Sequence, residues 1–165
     1  MDQIFIEITF NGKIGGALTF NLKDESFTTN IMARAVSASP IFDVISARND
    51  SISGTMDFDA SIKGNLAAKK SLNGNIKFIV RNGRMSTLGK LEHLIYAQNV
   101  VADNMLRTSL GVVAKAITLK DTGLFKYLKG DVALTNGIAN VKFLQSQGPL
   151  MSLFIKGQYN PENDY

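Results

Sequence analysis

Residues 72–98, LNGNIKFIVRNGRMSTLGKLEHLIYAQ, decide the fold. From Asn75 to Arg81 the side chains alternate. Ile76, Phe78 and Val80 fall on one face of a strand, and Asn75, Lys77, Ile79 and Arg81 on the other. Asn82-Gly83 predicts a turn, because both residues tolerate positive φ. Beyond Thr87, Leu88, Leu91, Leu94, Ile95 and Gln98 recur at three-to-four spacing, which predicts an amphipathic helix. Ile76, Phe78 and Val80 are then the sheet face that this helix covers.

Outward from that stretch, the same two-residue period returns. Ile4, Ile6, Ile8 and Phe10 share a face, as do Leu18, Phe20 and Leu22, then Phe27, Thr29, Ile31, Ala33 and Ala35. Gly15-Gly16 predicts a sharp bend, and the whole reads as an antiparallel meander. Ser39-Pro40 opens a short amphipathic turn or helix over Ile41–Ile45 that plugs one end of the sheet. Ile52, Met56, Phe58, Ala60 and Ile62 then oppose Thr55, Asp57, Asp59, Ser61 and Lys63. Asn65–Ser71 reads as a polar link. Leu106, Leu110, Val113 and Ile117 predict a second long helix over Asn104–Ile117, and Thr122–Lys129 a turn-like element with Leu124, Phe125 and Leu128 inward. Asp131–Gln145 is a hairpin about Asn136-Gly137, and Leu150–Tyr159 the last strand.

The expected fold class is α+β: a mostly antiparallel sheet with two amphipathic helices packed on one face, leaving room for an open groove. Residues 1–64 form a meander with a short helix, residues 72–160 the second region of one continuous domain, and residues 161–165 a polar tail.

Composition narrows the function classes. The formal charge is +4, but residues 1–83 carry nine basic and eight acidic side chains and residues 84–165 nine and six. Charges of both signs are scattered with no basic stripe, so no nucleic-acid partner is expected. The phenylalanines and tyrosines sit mostly at inward positions and form no stacking platform for bases. No run approaches the ~20 apolar residues of a membrane helix. The opening MDQIFIEITF lacks the basic tip and apolar block of a signal peptide, so any membrane anchor is expected upstream.

Catalytic chemistry finds little support. The chain has no cysteine and one histidine, His93, which falls opposite Leu88 and Ile95 and reads as exposed. No catalytic residue, metal site or cofactor is expected. Asp57 and Asp59 share a strand face, and they read as a solvated outer surface. The Gly12, Gly15 and Gly16 cluster precedes a strand, the wrong context for a phosphate loop.

One feature points elsewhere. Met151, Leu153 and Ile155 oppose Leu150 and Phe154 in the final strand, and Ile79 and Phe5 lie opposite the apolar faces of theirs. A sheet with helices on one side needs a single apolar face. The second is therefore expected to meet another protein layer, an oligomer contact or acyl chains, with Ile79, Leu150, Phe154 and Phe5 as the contacts. Each buried CH₂ contributes ~0.8 kcal/mol, so half-covering a ~16-carbon chain supplies roughly 6 kcal/mol, enough for weak, transferable binding.

Leu72 to Leu94, with its strand, Asn-Gly, linker and helix, resembles a region of AsmA-like proteins of the AsmA/TamB group. Leu124 to Leu144, LFKYLKGDVALTNGIANVKFL, resembles the next block, and Ile155 to Asn160, IKGQYN, the terminal strand. The resemblance implies a non-enzymatic, periplasmic portion of a longer Gram-negative envelope protein, anchored in the inner membrane upstream. It further implies a β-sheet groove contacting phospholipid acyl chains in lipid transport and outer-membrane biogenesis. The alternative is a structural module whose sheet edge pairs with neighbouring β-segments of the parent chain.

Overall fold

The computed structural model describes residues 2–9, 12–45, 52–94 and 122–159. Eight antiparallel strands form one sheet in sequence order: β1 (Asp2–Thr9), β2 (Lys13–Phe20), β3 (Ser26–Ser37), β4 (Ile52–Asn65), β5 (Ala68–Met85), β6 (Leu124–Thr135), β7 (Ile138–Gln147) and β8 (Ser152–Tyr159). Helix α1 (Ser39–Ile45) joins β3 to β4, and α2, described over residues 86–94, follows β5. Both helices lie at the same end of the sheet.

The fold is all-β, which corrects the α+β expectation. α1 has seven residues, and α2 turns only its Leu88–Glu92 side into the structure. Neither roofs a sheet whose central strand β5 runs for 18 residues. The predicted helix over Asn104–Ile117 lies outside the described residues.

Several local expectations change with it. Asn82 takes φ 49°, yet the chain does not reverse there: β5 continues to Met85 while Gly54, at φ 132°, absorbs a register shift in β4. Asn-Gly makes a bulge here, whereas Asn136-Gly137 makes a hairpin, where φ values of 52° and 79° fit a two-residue type I′ loop between Thr135 and Ile138. Gly15 and Gly16 make no bend and sit inside β2, opposite Met32 and Ile31. Asn65–Ser71 is largely strand, closed by a turn at Leu66-Ala67. Thr122-Gly123 is a turn and Leu124–Lys129 the start of β6: Phe125 and Leu128 are buried as expected, but from a strand.

Register brings the apolar positions into rows that cross the sheet. Val36, Met56, Val80, Leu128, Ser146 and Leu153 form one row. The next runs Ile14, Ala33, Phe58, Phe78, Gly130, Leu144 and Ile155, and a third Gly16, Ile31, Ala60, Ile76, Val132, Val141 and Gly157. A fourth runs Leu18, Thr29, Ile62, Gly74, Leu134, Ala139 and Tyr159. Ile8, Ile6 and Ile4 hold the β1 register positions of the last three rows. Period-2 alternation in every strand, matched in register, makes one face of the sheet apolar.

The packed core occupies the helix-bearing end of that face. Ala33, Val36, Ala38, Met56, Val80, Leu88, Phe125 and Leu128 are buried, with Ile41 and Phe42 of α1 laid against them. The Phe42 ring meets Phe78 edge-on at 6.2 Å and 75°, an arrangement worth about 0.5–1.5 kcal/mol beyond burial. Gly130 is required beneath it, because a Cβ there would strike the Phe78 ring. α2 is tied in through Gly123: the Gly123 amide donates to Glu92 Oε2 at 2.6 Å, and the Met85 amide donates to the Gly123 carbonyl at 2.9 Å. Leu88 and Glu92 are buried while Leu91 and Leu94 are exposed, so the buried stripe is rotated from the predicted one.

Candidate functional site

The opposite face of the sheet is polar. Its rows are Asp57, Ile79, Lys129, Gln145 and Phe154; then Met32, Asp59, Lys77, Asp131 and Phe143; then Asn30, Ser61, Asn75, Ala133, Asn140 and Gln158. The expectation of a sheet apolar on both faces is therefore corrected. The isolated outer apolar side chains are interrupted by charged or polar residues in every one of these rows.

Charges on this face are paired across strands. Arg34 Nη2 donates to Asp59 at 2.7 Å and Arg81 Nη1 to Asp57 at 2.6 Å, while Lys77 and Lys142 flank Asp131 at 3.7 and 3.4 Å. Exposed pairs of this kind contribute little each, and they keep the face wet. Asp57 does more than its solvated position suggests. Its Oδ1 accepts the Ala35 amide and its Oδ2 the Arg81 guanidinium, and these hold its carboxyl below the ordinary aspartate range. The hydrogen bond to Asp59 raises the Arg34 pKa, and the Ser26 hydroxyl and amide lower that of Asp24.

The four residues predicted as apolar contacts do not converge. Ile79 is half-buried in the polar row between Asp57 and Lys129. Phe154 is exposed on the same face of edge strand β8, with Lys156 Nζ 5.4 Å from its ring centroid. Leu150 lies in the turn that precedes β8 and is exposed. Phe5 holds the β1 position opposite Ala17. Of the expected helix-packing trio, Val80 is buried and Phe78 packs against the core, while Ile76 lies one row farther from α1 and is half-buried.

The candidate surface is instead the inner face away from α1. Along the Gly16–Gly157 and Leu18–Tyr159 rows the described apolar side chains are half-buried or exposed, and Ile31 retains 37% of its surface. At the β2–β3 side, Ile14, Gly16, Leu18, Thr29 and Ile31 line a depression of about 190 Å³ where Gly16 contributes no side chain. The strand alternation carried this signal. What obscured it was the placement of the helices, which share this face instead of lying behind it.

No group of three or more metal-ligating side chains is gathered among the described residues. No helix among them is long and apolar enough to cross a membrane. His93 is exposed, as its helical position predicted, with Nε2 3.4 Å from Thr122 Oγ1. Scans against family models, curated proteins and solved structures found no match.

Proposed function

We propose that this chain is a non-enzymatic, periplasmic segment of an AsmA-like envelope protein, and that the inner face of its sheet contacts phospholipid acyl chains. The observation that carries the reading is the continuity of the apolar rows: they cross every strand from β2 to β8, and their packed core is confined to the α1 end. An apolar sheet face is stable in water only when covered, and an acyl chain laid along exposed Ile31 and half-buried Ala60, Ile76 and Val132 supplies cover at ~0.8 kcal/mol per CH₂. The family likeness of residues 72–160 supports the same reading. It rests on the inner face alone, with Ile79, Phe154 and Leu150 no longer among the contacts.

Extraction of the purified chain followed by lipid mass spectrometry tests it. The wild type and Phe154→Asp, altered on the polar face, are expected to carry phospholipid, and Ile31→Glu to lose most of it. A lipid-free extract, or Ile31→Glu loaded like the wild type, would overturn the reading.

A second reading has its own observation. β1 and β8 are the sheet's two edges, and β8 presents exposed Phe154, Ile155 and Tyr159 beside a single lysine. Edges of this kind accept another strand, as a structural module within a longer sheet would require. Lipid-independent self-association, abolished by Ile155→Lys, would favour it.

A further inference from the structure

The β2–β3, β4–β5 and β6–β7 connections all turn at the end of the sheet opposite the two helices. The first two carry Leu22 and Leu66, 76% and 65% exposed, the most exposed large apolar side chains among the described residues. A lone surface leucine is ordinary; two on adjoining turns are not.

The turns are built to hold them out. The Leu66 amide donates to the Glu25 carbonyl at 3.2 Å, and Asn65 Nδ2 donates to the Asp24 carbonyl, so the two turns are tied together. Within them, Asn21 Oδ1 accepts the Lys23 amide at 3.0 Å, Asp24 Oδ1 the Ser26 amide at 3.0 Å and Asn65 Oδ1 the Ala67 amide at 2.8 Å. These bonds brace the backbone around each leucine. Behind the turns, Phe20, Phe27 and Gly64 make one further row of the inner face, and half-buried Leu72 lies against Gly64. The apolar face therefore reaches this end of the sheet.

We propose that this end docks on an anionic lipid bilayer, with Leu22 and Leu66 entering the boundary between headgroups and acyl chains. A stable protein contact takes roughly 800 Å² a side, of which two leucines flanked by Asp24 and Glu25 cover only a fraction. A bilayer boundary takes in small apolar tips without a matching shape. Exposed Lys23, Lys63 and Lys70 lie within four residues of the leucines and outnumber the acids of the same stretches, Asp24 and Glu25, which suits anionic headgroups. Docking does not require the inner face to hold lipid, and so goes beyond the acyl-chain reading.

Flotation of the full chain with vesicles of equimolar phosphatidylethanolamine and phosphatidylglycerol is the first measurement. The wild type is expected to float with the vesicles, and Leu22→Gln/Leu66→Gln to partition about tenfold more weakly or worse at an unchanged urea midpoint, since both side chains are exposed. Leu22→Trp keeps the tip apolar, and its fluorescence should shift to the blue when vesicles are added. No flotation, equal flotation of the double variant, or a tryptophan indifferent to vesicles overturns the docking. So does a lipid-free oligomer of the wild type that the double variant dissolves in sedimentation, because the tips then belong to a second copy. Docking and acyl contact fail separately: absent flotation leaves the Ile31→Glu extract to judge the inner face, and a lipid-free extract leaves flotation to judge the tips.

Discussion

Asp57 holds the backbone of Ala35, its Oδ1 accepting the Ala35 amide at 2.7 Å across the β3–β4 pair. Arg34 and Ala35 are two residues opposed to the single Asp57, so β3 bulges there and its alternation resets between Ala33 and Val36. Without that reset, Val36 would leave the core row it shares with Met56 and Val80. Asp57→Ala should therefore destabilise the sheet by about 2 kcal/mol, and Asp57→Asn by less. Urea unfolding of the three proteins checks this.

The same carboxylate sets a pH dependence. Its folded-state pKa is depressed, chiefly by the Ala35 amide and then by Arg81. The unfolded chain thus binds the proton more readily. The contribution is complete above the unfolded aspartate value, about 3.9, and is lost as pH falls through the lower folded value. Wild type should converge on Asp57→Asn in stability as acid is added below about pH 4, and a persistent gap at the lowest pH would contradict the assignment.

Ala35 itself occupies the left-handed region at φ 54° and is exposed. An L-residue there is strained by roughly 1–2 kcal/mol, and glycine is not, although glycine also loosens the unfolded chain. Ala35→Gly is expected to leave stability unchanged or raise it by up to about 1 kcal/mol, measured by thermal unfolding, where the same change inside β4 would lower it.

Glu92 is 2% exposed, and its Oε2 receives the Gly123 amide at 2.6 Å. This bond fastens α2 to the entry of β6. Glu92→Ala leaves a buried amide without its acceptor and should cost about 2–3 kcal/mol. Hydrogen exchange at Gly123 should accelerate in the variant while amides in the β3–β4 pair remain protected.

Gly130 faces Phe78 in the second inner row, where a side chain has no room. Gly130→Val should cost about 1–3 kcal/mol or more, and Gly130→Val/Phe78→Ala less than the sum of the single changes. A double-mutant cycle reads the coupling directly.

The sequence by itself determined the alternation of nearly every strand, the Asn136-Gly137 hairpin, the short element after Ser39 and the apolar faces on which Phe58 and Phe78 lie in their own strands. These are local: a period of two and a turn at positive φ depend on neighbours along the chain. Only the tertiary structure decided how the faces add up. Bulges at Arg34-Ala35, Asn82-Gly83 and Lys142 shift parity by one residue, which no window of sequence counts correctly, and so Ala35 turned out and Val36 in. Helix placement was equally non-local. The apolar side chains Ile79 and Phe154 suggested a second greasy face, but cross-strand register set them among Asp57, Lys129 and Gln145, and packing put α1 on the same face as the apolar rows. A strand's own residues fix its two sides; which side becomes the inside is settled by the partners it is paired with.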